Sequence, residues 1–218
     1  MAAMTSTTIA SVEIDLFRHS DRADDHDAPD MVQALVTNPM DPPLSPAGID
    51  RASKEPARAT SYIYCSPFLR CVQTAAQFQK RFGGIIVLDW ELCEVLHPRV
   101  LKGPLANLSL LNNDQISEIT RHFERAPTTQ PLGEESRGAG GSADHRYKAT
   151  IRRIAETCMS RGIDRVTIVS HGDSLQALAQ EVDKEIYQTD YCCRMTASFD
   201  ASGFHFLSSN GIGIMNSS

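Results

Sequence analysis

An apolar segment of the chain ends at a histidine that stands between two arginines. Arg18, His19 and Arg22 follow the segment 12–17, which reads Val-Glu-Ile-Asp-Leu-Phe. A neighbouring cation raises the free-energy cost of protonating an imidazole, so this arrangement favours a neutral histidine with a free lone pair. A nucleophile and a metal ligand both need that lone pair. Two arginines also form a fork-shaped site for phosphate or carboxylate.

Polar residues of compatible chemistry follow three more apolar segments, 62–64, 85–88 and 166–169. In chain order, these polar residues are Arg70, Glu91, Glu94, His171 and Asp173. The sequences between these segments have apolar residues at helical spacing. This pattern predicts strands that alternate with helices in a largely parallel sheet. The carboxyl ends of parallel strands meet at one edge of a sheet, where ligands bind. We therefore expect these side chains to lie together, although each one by itself could be solvated surface or core.

The pattern between these segments predicts the elements that must position the polar residues. Ser45 is expected to cap a helix that begins at Pro46 and runs towards residue 60, with Pro56 as a potential break. The same criteria predict further helices over 68–82, 116–123, 147–158 and 175–182, loops over 21–30 and 127–142, and two short strands within 195–207. The second loop, rich in Pro, Gly and Ser, is expected to be mobile.

Length and composition are typical of one globular domain. The chain has 218 residues, 41% hydrophobic and 22% charged, and we expect a single domain over 1–218 with its core in about 12–207. A net charge of −6 argues against a nucleic-acid partner. Neither a secretory signal nor a membrane-spanning apolar run is visible, so we expect a cytoplasmic protein without a membrane partner. The six cysteines match no zinc pattern and are expected to be free thiols.

The predicted cluster contains the groups that phosphoryl transfer needs in the absence of a metal. Arginines bind a dianionic set of oxygens, and a neutral imidazole can attack phosphorus. A second histidine can hydrogen-bond the oxygens as charge develops, and a carboxylic acid can protonate the leaving oxygen and then activate water. A zinc ion could use both histidines, but the adjacent arginines would repel the cation. We therefore expect a phosphate site with no metal and no other cofactor.

Short motifs at these positions resemble those of the histidine phosphatase superfamily, the phosphoglycerate-mutase-like proteins. Residues 18–20, Arg-His-Ser, resemble its Arg-His-Gly signature, and 170–172, Ser-His-Gly, resemble its second histidine motif. Residues 43–48 look like the segment that opens the family's first helix. Residues 65–75 and 18–22 are similar to the phosphatase domain of the suppressor of T-cell receptor signalling proteins. The resemblance covers most of the chain and implies a three-layer sandwich, with a mostly parallel central sheet flanked by helices.

The resemblance implies a role for each motif residue. His19 would be the nucleophile that becomes phosphohistidine, and Glu94 would be the acid and base. The phosphoryl group would be bound by Arg18, Arg70 and His171, with Arg22 assisting. Glu91 and Asp173 are the alternatives for the acid.

Ser20 departs from the family pattern, which usually has glycine at that position. If the backbone there had a positive φ, a serine would cost about 1 kcal/mol or more. The hydroxyl of Ser20 could instead donate to a phosphate oxygen, so we count this residue among the phosphate-binding candidates.

The leading prediction is a metal-independent phosphomonoesterase that acts on a small phosphorylated substrate or a phosphoprotein. Two alternatives stay open: a phosphoglycerate-type mutase, and a phospho-ligand binding or regulatory domain with little catalysis, which Ser20 would favour. The similarity also allows an aromatic phosphate, including phosphotyrosine. Arg99 and Lys102 could bind a second anionic group or be solvated surface. Cys65 and Cys71 could make activity sensitive to oxidation or be small packed residues, and the chain could form a homodimer.

Overall fold

A seven-stranded sheet with helices on both faces forms the protein, in a computed structural model that describes residues 9–25 and 29–216. The strands are β1 (Ser11–Arg18), β2 (Tyr62–Cys65), β3 (Ile85–Leu88), β4 (Phe123–Arg125), β5 (Arg165–Ser170), β6 (Lys184–Asp200) and β7 (Gly203–Asn216). The helices are α1 (Asp30–Gln33), α2 (Pro46–Lys54), α3 (Leu69–Phe82), α4 (Pro98–Leu101), α5 (Asn113–Ile119), α6 (Ser142–Ser160) and α7 (Gly172–Glu181), with short 3-10 helices at Trp90–Leu92 and Leu105–Asn107. None of the described helices is long and apolar enough to cross a membrane.

Five parallel strands make up most of the sheet. The strand order is β4-β3-β2-β5-β1-β6-β7, in which β1 to β5 run parallel and β6 and β7 are antiparallel to their neighbours. Arg18 of β1 lies opposite Ser170 of β5, and Cys65 of β2 lies opposite Val169. The carboxyl ends of β1, β2 and β5 therefore meet at one edge of the sheet, as the sequence predicts.

The apolar core lies on both faces of this sheet. Leu16 of β1 is buried in a cluster with Ile154 of α6 and Leu178 of α7. Phe17, the next residue of the strand, is buried in a second cluster with Val72 of α3. Successive side chains of a strand point to opposite faces, so each face is covered by its own helices. The three-layer α/β sandwich with a mostly parallel central sheet confirms the predicted fold class.

Local sequence signals explain where two of the helices begin and end. The hydroxyl of Ser45 accepts a hydrogen bond from a backbone N–H in the first turn of α2 at 3.0 Å, as the predicted cap does. α2 ends at Lys54, short of the expected residue 60, because Pro56 cannot continue the hydrogen-bond ladder. α3 ends at Phe82 and is followed by the capping residue Gly83, whose φ of +78° suits glycine.

Several predicted elements are corrected. The helix predicted over 116–123 ends before Phe123, which begins β4 instead. The two short strands predicted within 195–207 are parts of β6 and β7, which run on because hairpin partners satisfy each other's backbone groups even without apolar alternation. α1 begins inside the stretch 21–30 predicted as a loop, and α4 was not predicted, because four-residue helices show no periodicity. Residues 26–28 lie outside the described residues.

The predicted loop between β4 and α6 is anchored near its middle. Glu135 is buried, and its N–H donates to the carbonyl oxygen of Leu96 at 2.8 Å. Its carboxylate accepts hydrogen bonds of 2.6 and 2.7 Å from Arg146 of α6. The loop therefore has a fixed point beside the segment that follows β3.

Candidate active site

The nucleophile position is built where β1 ends. The N–H of His19 donates to the carbonyl oxygen of Ser170 at 2.9 Å, which carries the pairing of β1 and β5 one residue past Arg18. Nδ1 of the His19 imidazole lies 2.8 Å from the carbonyl oxygen of Ser20. Because a carbonyl oxygen can only accept, Nδ1 carries the proton, and in the neutral ring Nε2 keeps its lone pair. The backbone thereby fixes the tautomer that a nucleophilic histidine needs.

The surroundings of this imidazole keep it neutral. His19 is only 2% exposed and lines a cavity of about 960 Å³. Burial, together with the positive charges of Arg70 and Arg18, holds the pKa of His19 well below its usual range. Arg18 lowers the pKa of His19, as predicted, but burial and Arg70 lower this pKa more than Arg18 does.

Arg70 extends from the first turn of α3 into the same buried region. It is 2% exposed, its Nη2 donates to Oε2 of Glu94 at 3.0 Å, and its Nη1 lies 3.5 Å from a carboxylate oxygen of Asp41. The Asp41 carboxylate also accepts from the N–H of Leu69 at 2.9 and 3.1 Å, so it ties Arg70 to the start of α3. Nε of Arg70 is buried without a hydrogen-bond partner among the described residues. A buried unpaired donor costs about 1–3 kcal/mol, which an anionic acceptor would offset.

The second histidine lies beside the first. His171 follows β5 and is fully buried, and its ring centre is 5.5 Å from that of His19. Its Nε2 lies 2.9 Å from the hydroxyl of Ser66, and its Nδ1 lies 3.1 Å from Oε2 of Glu94. Burial lowers the pKa of His171 to about 4, against the opposing attraction of Glu94. This imidazole is therefore neutral near pH 7.

Glu94 connects the second histidine to the buried arginine through one carboxylate oxygen. Burial raises the pKa of Glu94, but the contacts with His171 and Arg70 outweigh burial and hold the pKa well below its usual range. His171 is neutral above about pH 4, so at higher pH the permanent charge of Arg70 sustains the ionised carboxylate. With these contacts, Glu94 is a carboxylate at neutral pH.

The two arginines of the first motif take different partners. Nη1 of Arg18 donates to the carbonyl oxygen of Thr189 at 3.0 Å and to its hydroxyl at 3.4 Å, and the guanidinium carbon lies 4.2 Å from the centre of the Tyr191 ring. Arg22 donates from Nε and Nη2 to the two carboxylate oxygens of Asp24, at 2.7 and 2.6 Å. Both arginines line the cavity. Arg18 has no carboxylate partner among the described residues, whereas Arg22 forms an ion pair with Asp24.

Ser20 adopts a backbone conformation that any residue can take. Its φ is not positive, so the strain that a serine could suffer at this position does not arise. The N–H of Ser20 donates to the hydroxyl of Thr74 at 3.1 Å, and its own hydroxyl donates to a carboxylate oxygen of Asp21 at 3.1 Å. A phosphate oxygen would have to replace Asp21 as the acceptor. The phosphate-binding role of Ser20 stays a prediction.

The two alternative candidates for the acid have other partners. Glu91 accepts from Arg153 at 3.0 Å and is not among the residues that line the cavity. Asp173 does line the cavity, but its carboxylate is paired with Arg137 at 2.8 Å. Of the three carboxylates, Glu94 alone contacts the second histidine, so the geometry favours Glu94.

The predicted residues thus meet at one cavity. Those on its surface are Arg18, His19, Arg22, Glu94 and Asp173. Arg70 and His171 are buried against Glu94. Sequence reasoning missed Ser66, which stands inside the motif 65–75, and Asp41, for which only the position before a proline pair was a signal. It also missed Thr189 and Tyr191, which come from β6 and carried no signal.

One set of side chains could hold a metal ion. His19, Glu94 and His171 each offer a ligand atom, and these atoms lie within 4.8 Å of one another. The Glu94 carboxylate accepts a hydrogen bond from Arg70 at 3.0 Å. A cation at this site would therefore have to displace the positively charged guanidinium of Arg70. The positive charge of Arg70 beside these three side chains favours an anionic ligand over a metal ion.

The cysteines at the phosphate-binding segment are packed, not exposed. All six cysteines are buried and free. Sγ of Cys71 lies 3.6 Å from Nε2 of His171, so its small size matters to the site. Burial raises the pKa of Cys65 and of Cys71 above the usual range, which disfavours the reactive thiolate. These observations favour the interpretation as small packed residues.

Most of the chain matches a known protein family. A sequence model of one family, described as the histidine phosphatase superfamily (branch 1), matches residues 14–210. The chain belongs to this superfamily. Its membership supports an activity of the phosphatase or mutase kind and does not specify a substrate. A search of curated proteins gives no match to the sequence.

Several solved structures share the fold at low sequence identity. The ecdysone phosphate phosphatase of Bombyx mori, in complex with tungstate, is 15% identical, with a TM-score of 0.66 over 95% of this chain and 96% of its own. The phosphoglycerate mutase of Bacillus anthracis str. Sterne is 14% identical, with a TM-score of 0.60 over 92% and 93%. The α-ribazole phosphatase of Shigella flexneri is 18% identical, with a TM-score of 0.57 over 94% and 100%. Likeness at these identities establishes the fold alone.

Proposed function

We propose that the protein is a metal-independent phosphomonoesterase that forms a phosphohistidine intermediate on His19. One observation carries this proposal. The carbonyl oxygen of Ser20 holds the proton on Nδ1, so a buried, neutral imidazole keeps the lone pair of Nε2 at the cavity. The substrate is a small phosphorylated molecule or a phosphoprotein.

In the first step, Nε2 of His19 attacks phosphorus while the bond from phosphorus to the leaving oxygen breaks. Arg18 and Arg70 each have a buried Nε without a partner among the described residues, and these N–H groups can donate to the phosphoryl oxygens. When Glu94 carries a proton, Nδ1–H of His171 is released from the carboxylate and can donate to an oxygen on which charge develops. Glu94 gives its proton to the leaving oxygen, which departs as an alcohol.

Glu94 needs a proton for this step, although its contacts keep it ionised. A phosphoryl dianion brings negative charge to Arg70 and to the Glu94 carboxylate, which raises the pKa of that carboxyl. A substrate that binds as the monoanion supplies the same proton. Phosphate binding and protonation of Glu94 are therefore coupled through Arg70.

In the second step, water attacks phosphorus from the side opposite Nε2. The Glu94 carboxylate accepts a proton from this water, the new phosphorus–oxygen bond forms, and the bond between phosphorus and His19 breaks. Inorganic phosphate leaves and His19 is again neutral. The proton on Glu94 is then released, because Arg70 holds the carboxylate of the free site ionised.

Finer expectations belong to the same proposal. The similarity of residues 65–75 and 18–22 to the T-cell suppressor phosphatase domain supports an aromatic phosphate, including phosphotyrosine, as a substrate to test. The net charge of −6 supports a protein that acts without nucleic acid. We place it in the cytoplasm as one domain.

Hydrolysis of p-nitrophenyl phosphate in the presence of EDTA tests the proposal. We expect turnover by the natural chain and a fall of at least about a thousandfold in His19→Ala, because the nucleophile is lost. His145→Ala, which removes an exposed histidine of α6, is the matched control and should retain full activity. Equal rates with and without His19, or activity that EDTA removes, would contradict the mechanism. Phosphate binding without turnover between pH 4 and 8 would favour the regulatory alternative.

A further inference from the structure

β6 leaves its regular pairing where it passes the active site. Thr189 pairs with Ile212 of β7, and Arg194 pairs with Asn210, so residues 190–193 lie opposite a single residue of β7. We call residues 190–193 the β6 arch. Arches and bulges of this kind turn side chains away from the plane of a sheet and towards a neighbouring site.

The β6 arch contacts Arg18, the last residue of β1, and His19, which follows it. The N–H of Cys192 donates to the carbonyl oxygen of His19 at 3.1 Å, and Cys192 has a φ of +56°, which a non-glycine residue rarely adopts. Tyr191 lays its ring against Arg18, with 4.2 Å between the ring centre and the guanidinium carbon, and its ring centre is 5.8 Å from that of His19. An unusual backbone conformation therefore places an aromatic ring at the phosphate-binding arginine.

The contacts of Arg18 leave one edge of its guanidinium for a ligand. Nη1 donates to the carbonyl oxygen and the hydroxyl of Thr189. The ring of Tyr191 covers one face of the plane. The edge formed by Nε and Nη2 remains, and Nε is buried without a partner among the described residues. That edge has the spacing of a two-pronged bond to phosphoryl oxygens.

We propose that Tyr191 is a positioning residue, whose ring fixes the plane of the Arg18 guanidinium so that its Nε–Nη2 edge faces the phosphoryl group. The inference rests on the proposed function, since it assigns Arg18 to the phosphoryl oxygens. Burial and a hydrogen bond with Asp25 raise the pKa of Tyr191, so the phenol is neutral and the contact is between a cation and a ring face.

A pair of variants separates the ring from its hydroxyl. Tyr191→Leu removes the aromatic face and keeps an apolar side chain, and it should weaken inhibition by vanadate and raise KM by about threefold to thirtyfold. Tyr191→Phe keeps the face and should stay within about twofold of the natural chain. A merely structural role would lower the midpoint of thermal unfolding and the active fraction, and leave KM and the vanadate constant of the remaining enzyme unchanged. An equal loss in both variants, or no loss in Tyr191→Leu, would overturn the proposal.

A double-mutant cycle tests whether Tyr191 acts through Arg18. In an Arg18→Ala background, Tyr191→Leu should no longer change the affinity for vanadate, because the group that it positions is absent. A loss that persists in that background would overturn the proposal. If the natural chain hydrolyses no phosphomonoester, the proposed function fails, and calorimetric titration of the same four proteins with inorganic phosphate then decides the positioning role by itself.

Discussion

The buried cluster at the cavity, which we call the floor, differs from the outer wall, which includes Arg99 and Arg137. The floor consists of His19 and Glu94, which line the cavity, and of Arg70 and His171, which are buried against Glu94. The four floor residues are between 0% and 7% exposed, and each makes two or more polar contacts. Arg137 is 64% exposed and has one carboxylate partner, and Arg99 is exposed without an ion-pair partner among the described residues. The floor is fixed before a substrate arrives, whereas the wall can rearrange around one.

This difference separates two tasks of the proposed enzyme. Groups that act on the reacting phosphorus must hold their positions, because a displacement of about 1 Å can cost about a hundredfold in rate. Side chains that recognise the rest of a substrate contribute less each and can be exchanged. Substitutions in the floor should therefore affect all substrates, and substitutions in the wall only some of them.

The largest difference between floor and wall is expected at Glu94. Glu94→Gln removes the proton donor and should lower the rate for an alkyl phosphate by about a hundredfold to ten-thousandfold. The loss should be smaller for p-nitrophenyl phosphate, whose leaving group needs less help from an acid. Glu91→Gln is the matched control, since this carboxylate is bound to Arg153 outside the cavity and should stay within about twofold. A larger loss in Glu91→Gln than in Glu94→Gln would show that the acid has been misassigned.

The protonation states of the floor predict the pH dependence. On the acid side, kcat/KM should fall below about pH 4, where His171, whose pKa burial lowers to about 4, takes up a proton and ceases to be neutral. On the alkaline side, kcat/KM should fall about tenfold per pH unit above the second pKa of the substrate, about 6, because Glu94 is ionised and the substrate must bring the proton.

Two aryl phosphates with different second pKa values test the alkaline side of the pH profile. The pH at which kcat/KM begins to fall should differ between them as their second pKa values do. Burial raises the pKa of Asp41, beside Arg70, to about 7, so this residue provides the competing explanation. A fall that begins near pH 7 for both substrates and disappears in Asp41→Asn would assign this pH dependence to the protein and contradict the prediction.

A smaller and selective effect is expected in the wall. Arg99 lines the cavity, whereas Lys102, the other candidate for a second anionic group, is paired with Asp24 at 2.7 Å and does not line it. Arg99→Gln should lower kcat/KM by up to about tenfold for phosphate esters that end in a carboxylate, and leave the corresponding alcohols unchanged. Lys80→Gln removes the charge of an exposed residue of α3 and serves as the control. Equal losses for both kinds of ester would place Arg99 with the floor.

The smallest effect is expected at Ser20, although the family usually has glycine there. Ser20→Gly should change kcat/KM by less than about threefold, because the serine has an unstrained φ and its hydroxyl is bound to Asp21. It should lower the free energy of unfolding by about 0.5–1 kcal/mol, measured by urea denaturation, through the greater freedom of glycine in the unfolded chain. A tenfold rise in turnover would mean that the serine limits catalysis.

The sequence alone was sufficient for the fold class and for most of the floor. Apolar segments that alternate with periodic helices predict a parallel sheet, and the polar residues after each segment then meet at one edge because parallel strands share a direction. His19, His171 and Arg70 stand one to five residues past their strands, so few geometries were available to them. Local chemistry and chain order carry this information.

Tertiary structure alone decided the rest. Glu91 and Glu94 are three positions apart, and a 3-10 helix at Trp90–Leu92 points one at Arg153 and the other at Arg70, a choice that depends on packing and not on period. Thr189, which binds Arg18, lies 171 positions after it in the chain. Thr189 lies where the regular pairing of β6 with β7 stops. The sequence of a single strand does not specify where its pairing becomes irregular, because that depends on the neighbouring strands.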